Sequence, residues 1–194
     1  MTNQLATRVE LVREAWLILA EMAPIPARML YMQEVEGMAQ EEIAETFECG
    51  TKRVRQKING FTHTENDRFY NGAKQWLEMI LVLLAAADDA DVLPEVLMLF
   101  DDASGRLLWG TRFPNAAFSL ADAAREAGVL PAVARLLAEA RRTSRPLTED
   151  LWGRLLTMDD EDRLTSFFDR LRNLPADEDL LSRGRALLEE MVPG

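Results

Sequence analysis

A single cysteine, Cys49, and a single histidine, His63, stand among 194 residues, and this scarcity removes several chemistries at once. One thiol forms no internal disulfide, and one thiol with one imidazole cannot furnish the ligand set of a usual zinc site. Cys49 occupies an apolar turn position with no base near it in sequence, which suits a core thiol better than a nucleophile. His63 lies alone in a polar stretch, so no Ser-His-Asp arrangement can be nominated, and neither GxGxxG nor GxxxxGK[ST] occurs. The expectation is a protein that is not an enzyme and holds neither metal nor cofactor. The longest apolar run, Met79 to Ala87, is too short to span a bilayer, and the N-terminus shows no charged-then-apolar leader. A cytoplasmic chain without membrane contact is therefore expected.

Basic residues are also scarce, except in one place. The formal net charge is −11, with seven Lys and Arg against nine Asp and Glu in residues 1–60 and fifteen against twenty-four in the remainder. From Thr51 to Gly60, however, the chain carries Lys52, Arg53, Arg55 and Lys57 and no acid. An acidic chain repels nucleic acid on average, so any such binding must come from this local patch.

The patch belongs to a stretch with the grammar of a helix-turn-helix, Glu41 to Ile58, EEIAETFECGTKRVRQKI. Ile43, Ala44 and Phe47 share one helical side, and Cys49, Val54 and Ile58 continue it after a break. Gly50 is expected to take the positive φ of the turn, and Thr51 to cap the second helix. The outward face then presents Lys52, Arg53, Arg55, Gln56, Lys57 and Asn59, which suits a polyanion. A preceding helix begins at Pro24 and Pro26, with Met29, Leu30, Met32 and Val35 as its apolar stripe, and ends at Gly37. An N-terminal helix, Gln4 to Ala20, is expected to pack through Leu5, Val9, Val12, Trp16, Leu19 and Ala20.

These residues carry a resemblance. Without a gap, Met22 to Ile58 is similar to region 4 of bacterial sigma factors, most closely at Val35-Glu36-Gly37-Met38, at Glu41 to Glu45 and in the spacing of Val54 and Ile58. The family usually has a small residue where Glu48 stands here and a basic tail where Asn59-Gly60-Phe61-Thr62 stands. The resemblance implies a trihelical reader of the −35 promoter element. It implies double-stranded DNA as partner and Thr51, Lys52, Arg53, Arg55, Gln56, Lys57 and Asn59 as the contacting residues. No counterpart of sigma region 2 is found, so promoter opening is not expected.

Past Ile58 the polar residues 59–66 read as a hinge, and Asp67 is expected to cap a helix to about Ala87. Phe69, Ala73, Trp76, Leu77, Ile80, Leu83 and Leu84 form its stripe. Met79, Leu81 and Val82 widen that stripe until it needs cover on several sides, from the C-terminal helices or from a second subunit in a homodimer. Residues 96–111 admit a hairpin or two short helices, and the excess of Leu and Met over β-branched residues favours helices. Helices are further expected from Ser119 to a stop at Gly128, from Pro131 to Arg142, from Leu151 to Leu156, from Asp159 to Arg172 and from Asp177 to near Val192. The acids Asp159-Asp160-Glu161-Asp162 and Asp177-Glu178-Asp179 suit helix starts better than metal sites, and Arg141, Arg142 and Arg145 suit a helix end. The fold class is thus all-α, with an N-terminal trihelical helix-turn-helix domain at 1–62 and a multi-helix domain at 67–194.

Three functions compete. The first is a sequence-specific DNA-binding regulator of transcription. The second keeps the sigma-like domain but directs it to RNA polymerase or a regulatory protein of the anti-sigma type, which the acidic remainder favours. The third is a phage-type DNA-packaging recognition subunit, which also joins a helix-turn-helix to a helical oligomerisation segment.

Overall fold

The computed structural model describes residues 2–65, 69–100, 123–144, 147, 150–151, 153–155, 158, 161–174 and 179–191. The chain is mostly helical, as its composition and periodicities require. It divides into two compact units, Met1–Val82 and Leu83–Gly194, with the division inside a helix and not in the polar stretch after Ile58.

In the first unit α1 spans Thr2–Met22, α2 Pro24–Glu34, α3 Gln40–Thr46 and α4 Thr51–Asn59. Pro24 and Pro26 open α2, where a missing N–H costs nothing. Its buried side is Ala27, Met29, Leu30 and Met32, while Val35, expected on that stripe, lies past the helix end and is exposed. α1 packs on α2, and Trp16 meets Tyr31 edge to face at 5.8 Å. The buried face of α1 is Leu11, Ala15, Ile18 and Leu19, which shares Leu19 with the expected one but not Val9, 66% exposed, or Val12, 44% exposed. Apolar residues occupy two sides of this helix, and a 3.6-residue period accommodates either choice.

After α4 the expected hinge is a two-stranded antiparallel hairpin, β1 Phe61–Thr62 and β2 Phe69–Tyr70, with Phe61 opposite Tyr70 and Thr62 opposite Phe69. It is the single strand pairing among the described residues. Asp67, expected to cap the next helix, lies outside the described residues. The helix itself, α5, spans Ala73–Asp89. Its start is set by Gln75, whose Oε1 accepts the Gly72 N–H at 2.9 Å. Phe69 therefore belongs to a strand, and its ring is exposed. Along α5, Ile80, Leu83, Leu84 and Ala87 are buried, Met79 and Leu81 are half-buried and Val82 is 52% exposed.

In the second unit α6 spans Leu93–Phe100, α7 Leu130–Thr143, α8 Glu161–Arg172 and α9 Leu180–Met191. Residues 96–100 are helical, and 101–111, the rest of the possible hairpin, lie outside the described residues. Gly128, with φ of 68°, ends the short turn before α7 as expected. The core of this unit is the stripe Val133, Leu136, Leu137 and Ala140 of α7, on which α6 and α9 pack. α8 meets α9 through a 2.7 Å ion pair between Arg170 and Glu190. The hydrogen bond from Arg170 holds the Glu190 carboxyl below its ordinary range. Asp179 accepts the Ser182 N–H at 3.2 Å and so caps α9, the structural role expected of that acidic cluster. Asp159 and Asp160 lie outside the described residues, as do Ser119, Asp122, Arg145 and Thr148. No helix among the described residues is long and apolar enough to cross a membrane.

Candidate nucleic-acid interface

α3 begins with Glu42 turning back to accept the Ala39 N–H at 2.8 Å, and the acids Glu41 and Glu42 sit at the positive end of its dipole. It ends at Glu48, whose φ of 49° is left-handed, and the Cys49 N–H returns to the Ala44 carbonyl at 2.9 Å. Two expectations are corrected here. Gly50 does not carry the positive φ, being extended at φ −82° and ψ 150° as the residue before α4, and Thr51 is the first residue of α4 and not its cap. The Gly50 carbonyl accepts the Arg53 N–H at 2.9 Å and the Val54 N–H at 3.2 Å, which starts the helix without a side-chain acceptor.

A left-handed residue with a Cβ costs on the order of 1–2 kcal/mol, and glycine removes that cost while adding about 0.4–1 kcal/mol of unfolded-state entropy. Glu48→Gly should therefore stabilise the first unit by about 0.5–1 kcal/mol and raise its melting temperature by a few degrees. Thermal unfolding followed by circular dichroism checks this. A lower melting temperature would contradict a left-handed Glu48.

Val54 and Ile58 are 0% exposed and fix α4 against α2 and α3. The remaining residues of α4 divide into two stripes, because residues four apart nearly superpose along a helix. Lys52, Arg53, Gln56 and Lys57 form one, and Thr51, Arg55 and Asn59 the other. Thr51, Lys52, Arg53, Arg55 and Lys57 are exposed, while Gln56 and Asn59 are half-buried. The structure brings the first stripe to the wall of an open groove of about 840 Å³ and leaves Thr51, Arg55 and Asn59 outside it.

Another part of the groove wall holds residues that the sequence reading missed as site candidates. These are Phe61 and Tyr70 of the hairpin, Asn71, and Trp76 in the first turn of α5. The Phe61 and Tyr70 rings stack at 5.2 Å with planes 13° apart. His63, half-buried, lies edge-on to Tyr70 at 6.3 Å, and Cys49 is half-buried. The one signal available was Phe61 directly after Gly60 and the aromatic dipeptide Phe69-Tyr70 shortly before Gly72.

The two glycines set this wall in place. Gly60, at φ 73°, ends α4, and a Cβ on it would collide with the Tyr70 carbonyl oxygen and come within 2.9 Å of the Gly72 nitrogen. A Cβ on Gly72 would collide with the Gly60 nitrogen and lie 2.5 Å from the Ile58 carbonyl oxygen. The backbone after β2 is thus clasped directly to the end of α4. Farther along, Lys74 binds Glu34 of α2 at 2.8 Å, and this hydrogen bond lowers the Glu34 carboxyl from its ordinary range. The link stands above that range and is lost as acid protonates Glu34; both groups are well exposed, so its share of the stability is small.

The chain matches no protein-family model, no curated protein and no solved structure.

Proposed function

We propose that α3 and α4 form a DNA-reading helix-turn-helix and that the protein acts as a regulator of transcription. The observation that carries this reading is the division of α4 into a buried side, Val54 and Ile58, and an outward side with four cations and no acid. The resemblance of Met22 to Ile58 to sigma region 4 supports it. With α4 in a major groove, the Thr51-Arg55-Asn59 stripe and Gln56 meet base edges, and Lys52, Arg53 and Lys57 meet phosphates. The acidic remainder of the chain limits adhesion to unrelated DNA.

The test begins with duplexes that the protein selects from a random-sequence pool. Affinity for a selected duplex is then measured across a salt series. Arg55→Ala with Lys57→Ala should weaken binding and reduce the salt slope by about one unit, since Lys57 neutralises a phosphate, worth roughly 0.9, and Arg55 reads a base edge. An unchanged slope in the folded double variant, or a pool from which nothing is enriched, removes the reading.

A second reading assigns the domain to a protein partner such as a polymerase subunit. The exposure of Val9 and Val12 on α1 favours it, because apolar side chains one turn apart and open to solvent suit contact with a protein. Under this reading Val9→Lys abolishes capture of the partner and leaves DNA affinity unchanged.

A further inference from the structure

The groove beside α4 has features that a reader of paired DNA does not require. Part of its wall is cationic, with Lys52, Arg53 and Lys57, and part is aromatic, with Phe61, Tyr70 and Trp76. Among the described residues no Asp or Glu lines it, although acids outnumber bases in the chain by thirty-three to twenty-two. Its volume falls within the range of sites that hold a compact organic ligand. Gln56 adds an amide group that can both donate and accept hydrogen bonds. Aromatic surface in the same groove as a row of cations suits an occupant with flat rings and negative charge in alternation.

We infer that this groove takes unpaired nucleotides, with a base stacked on the Tyr70–Trp76 wall and the flanking phosphates on Lys52, Arg53 and Lys57. The inference rests on the nucleic-acid reading of α4 for its cations, but the aromatic wall is an independent observation. Tyr70 is 39% exposed and Phe69 47%, so rings at the hairpin edge are within reach of a strand in solution. In duplex DNA the base faces are covered by their neighbours, and such rings have nothing to stack on. In a single strand every base offers a face, and one stacking contact changes affinity by roughly fivefold to a hundredfold. The clasp joins the hairpin to α4 through backbone, so the aromatic and cationic parts of the wall are held together.

The full-length protein is titrated against a fluorescein-labelled single strand of mixed sequence and against the same strand annealed to its complement, with anisotropy as readout. The wild type should bind the single strand. Tyr70→Leu, which keeps apolar volume and removes the ring, should weaken that binding at least about fivefold, and Tyr70→Phe should retain it. Duplex affinity should be the same in all three proteins. Intrinsic fluorescence gives a second measurement: the unlabelled single strand should quench the wild type, and Trp76→Phe should lose the quenched component. Failure of the wild type to bind the single strand, Tyr70→Leu binding it as tightly as the wild type, equal losses on strand and duplex, or no Trp76-dependent quench would each overturn the inference. Duplex binding without strand binding leaves the helix-turn-helix reading intact and sinks this one. Strand binding without any duplex binding does the reverse.

Discussion

Aspartate in place of Val54 should unfold the first unit at neutral pH. Val54 is fully buried on the side of α4 that meets α2 and α3, so a carboxylate there would be taken out of water. The substitution forfeits about 1.5–3 kcal/mol of apolar burial, and the desolvated charge adds several more. A unit of this size has on the order of 4–12 kcal/mol of stability in all, so the loss approaches the total. Gln56→Asp, two residues away on the groove stripe, should fold normally and lose only binding. Circular dichroism and thermal melting compare the two. If both variants melt alike, the inward and outward faces of α4 have been assigned wrongly.

Alanine at Gly72 should cost nearly as much. The obstacles to its Cβ are the Gly60 nitrogen and the Ile58 carbonyl, both backbone, so no side chain can rotate away to make room. Relief requires the hairpin to part from α4, at about 3 kcal/mol or more. The corresponding fall in melting temperature is on the order of 15 °C. Gly50→Ala is the comparison: a Cβ there meets nothing within 4 Å and φ is negative, so the expected change is at most about 1 kcal/mol. A Gly72→Ala variant that melts like the wild type would mean that the clasp is not formed.

Much of the first unit was legible in the sequence because α4 is strongly two-sided. Val54 and Ile58 stand among Lys52, Arg53, Arg55 and Lys57, and a single helical register satisfies both sets. Pro24 and Gly128 were legible for a related reason, since each imposes a backbone condition that few places in a helix tolerate. Where two registers satisfy the pattern, as along α1, the sequence left the choice of Val9 or Leu11 to tertiary packing. The turn was misread at Gly50 because local preference assigns the left-handed position to glycine, and the surrounding helices place Glu48 there instead. Strands of two residues show no alternation, so Phe61-Thr62 and Phe69-Tyr70 passed as hinge and helix, and the aromatic wall of the groove went with them.

The clasp between Gly60 and Gly72 also separates the motif from the smallest piece of chain that can present it. A fragment ending at Ile58 would carry every residue of the helix-turn-helix pattern. It would lack the strands that close over the last turn of α4 and the Lys74 anchor to α2. During synthesis, too, that last turn stays open until Gly72 has left the ribosome, although the cations of α4 emerged well before it. Anyone transplanting α3 and α4 to another scaffold must therefore carry the chain on into α5, because the helix-turn-helix pattern and the determinants of its shape end at different residues.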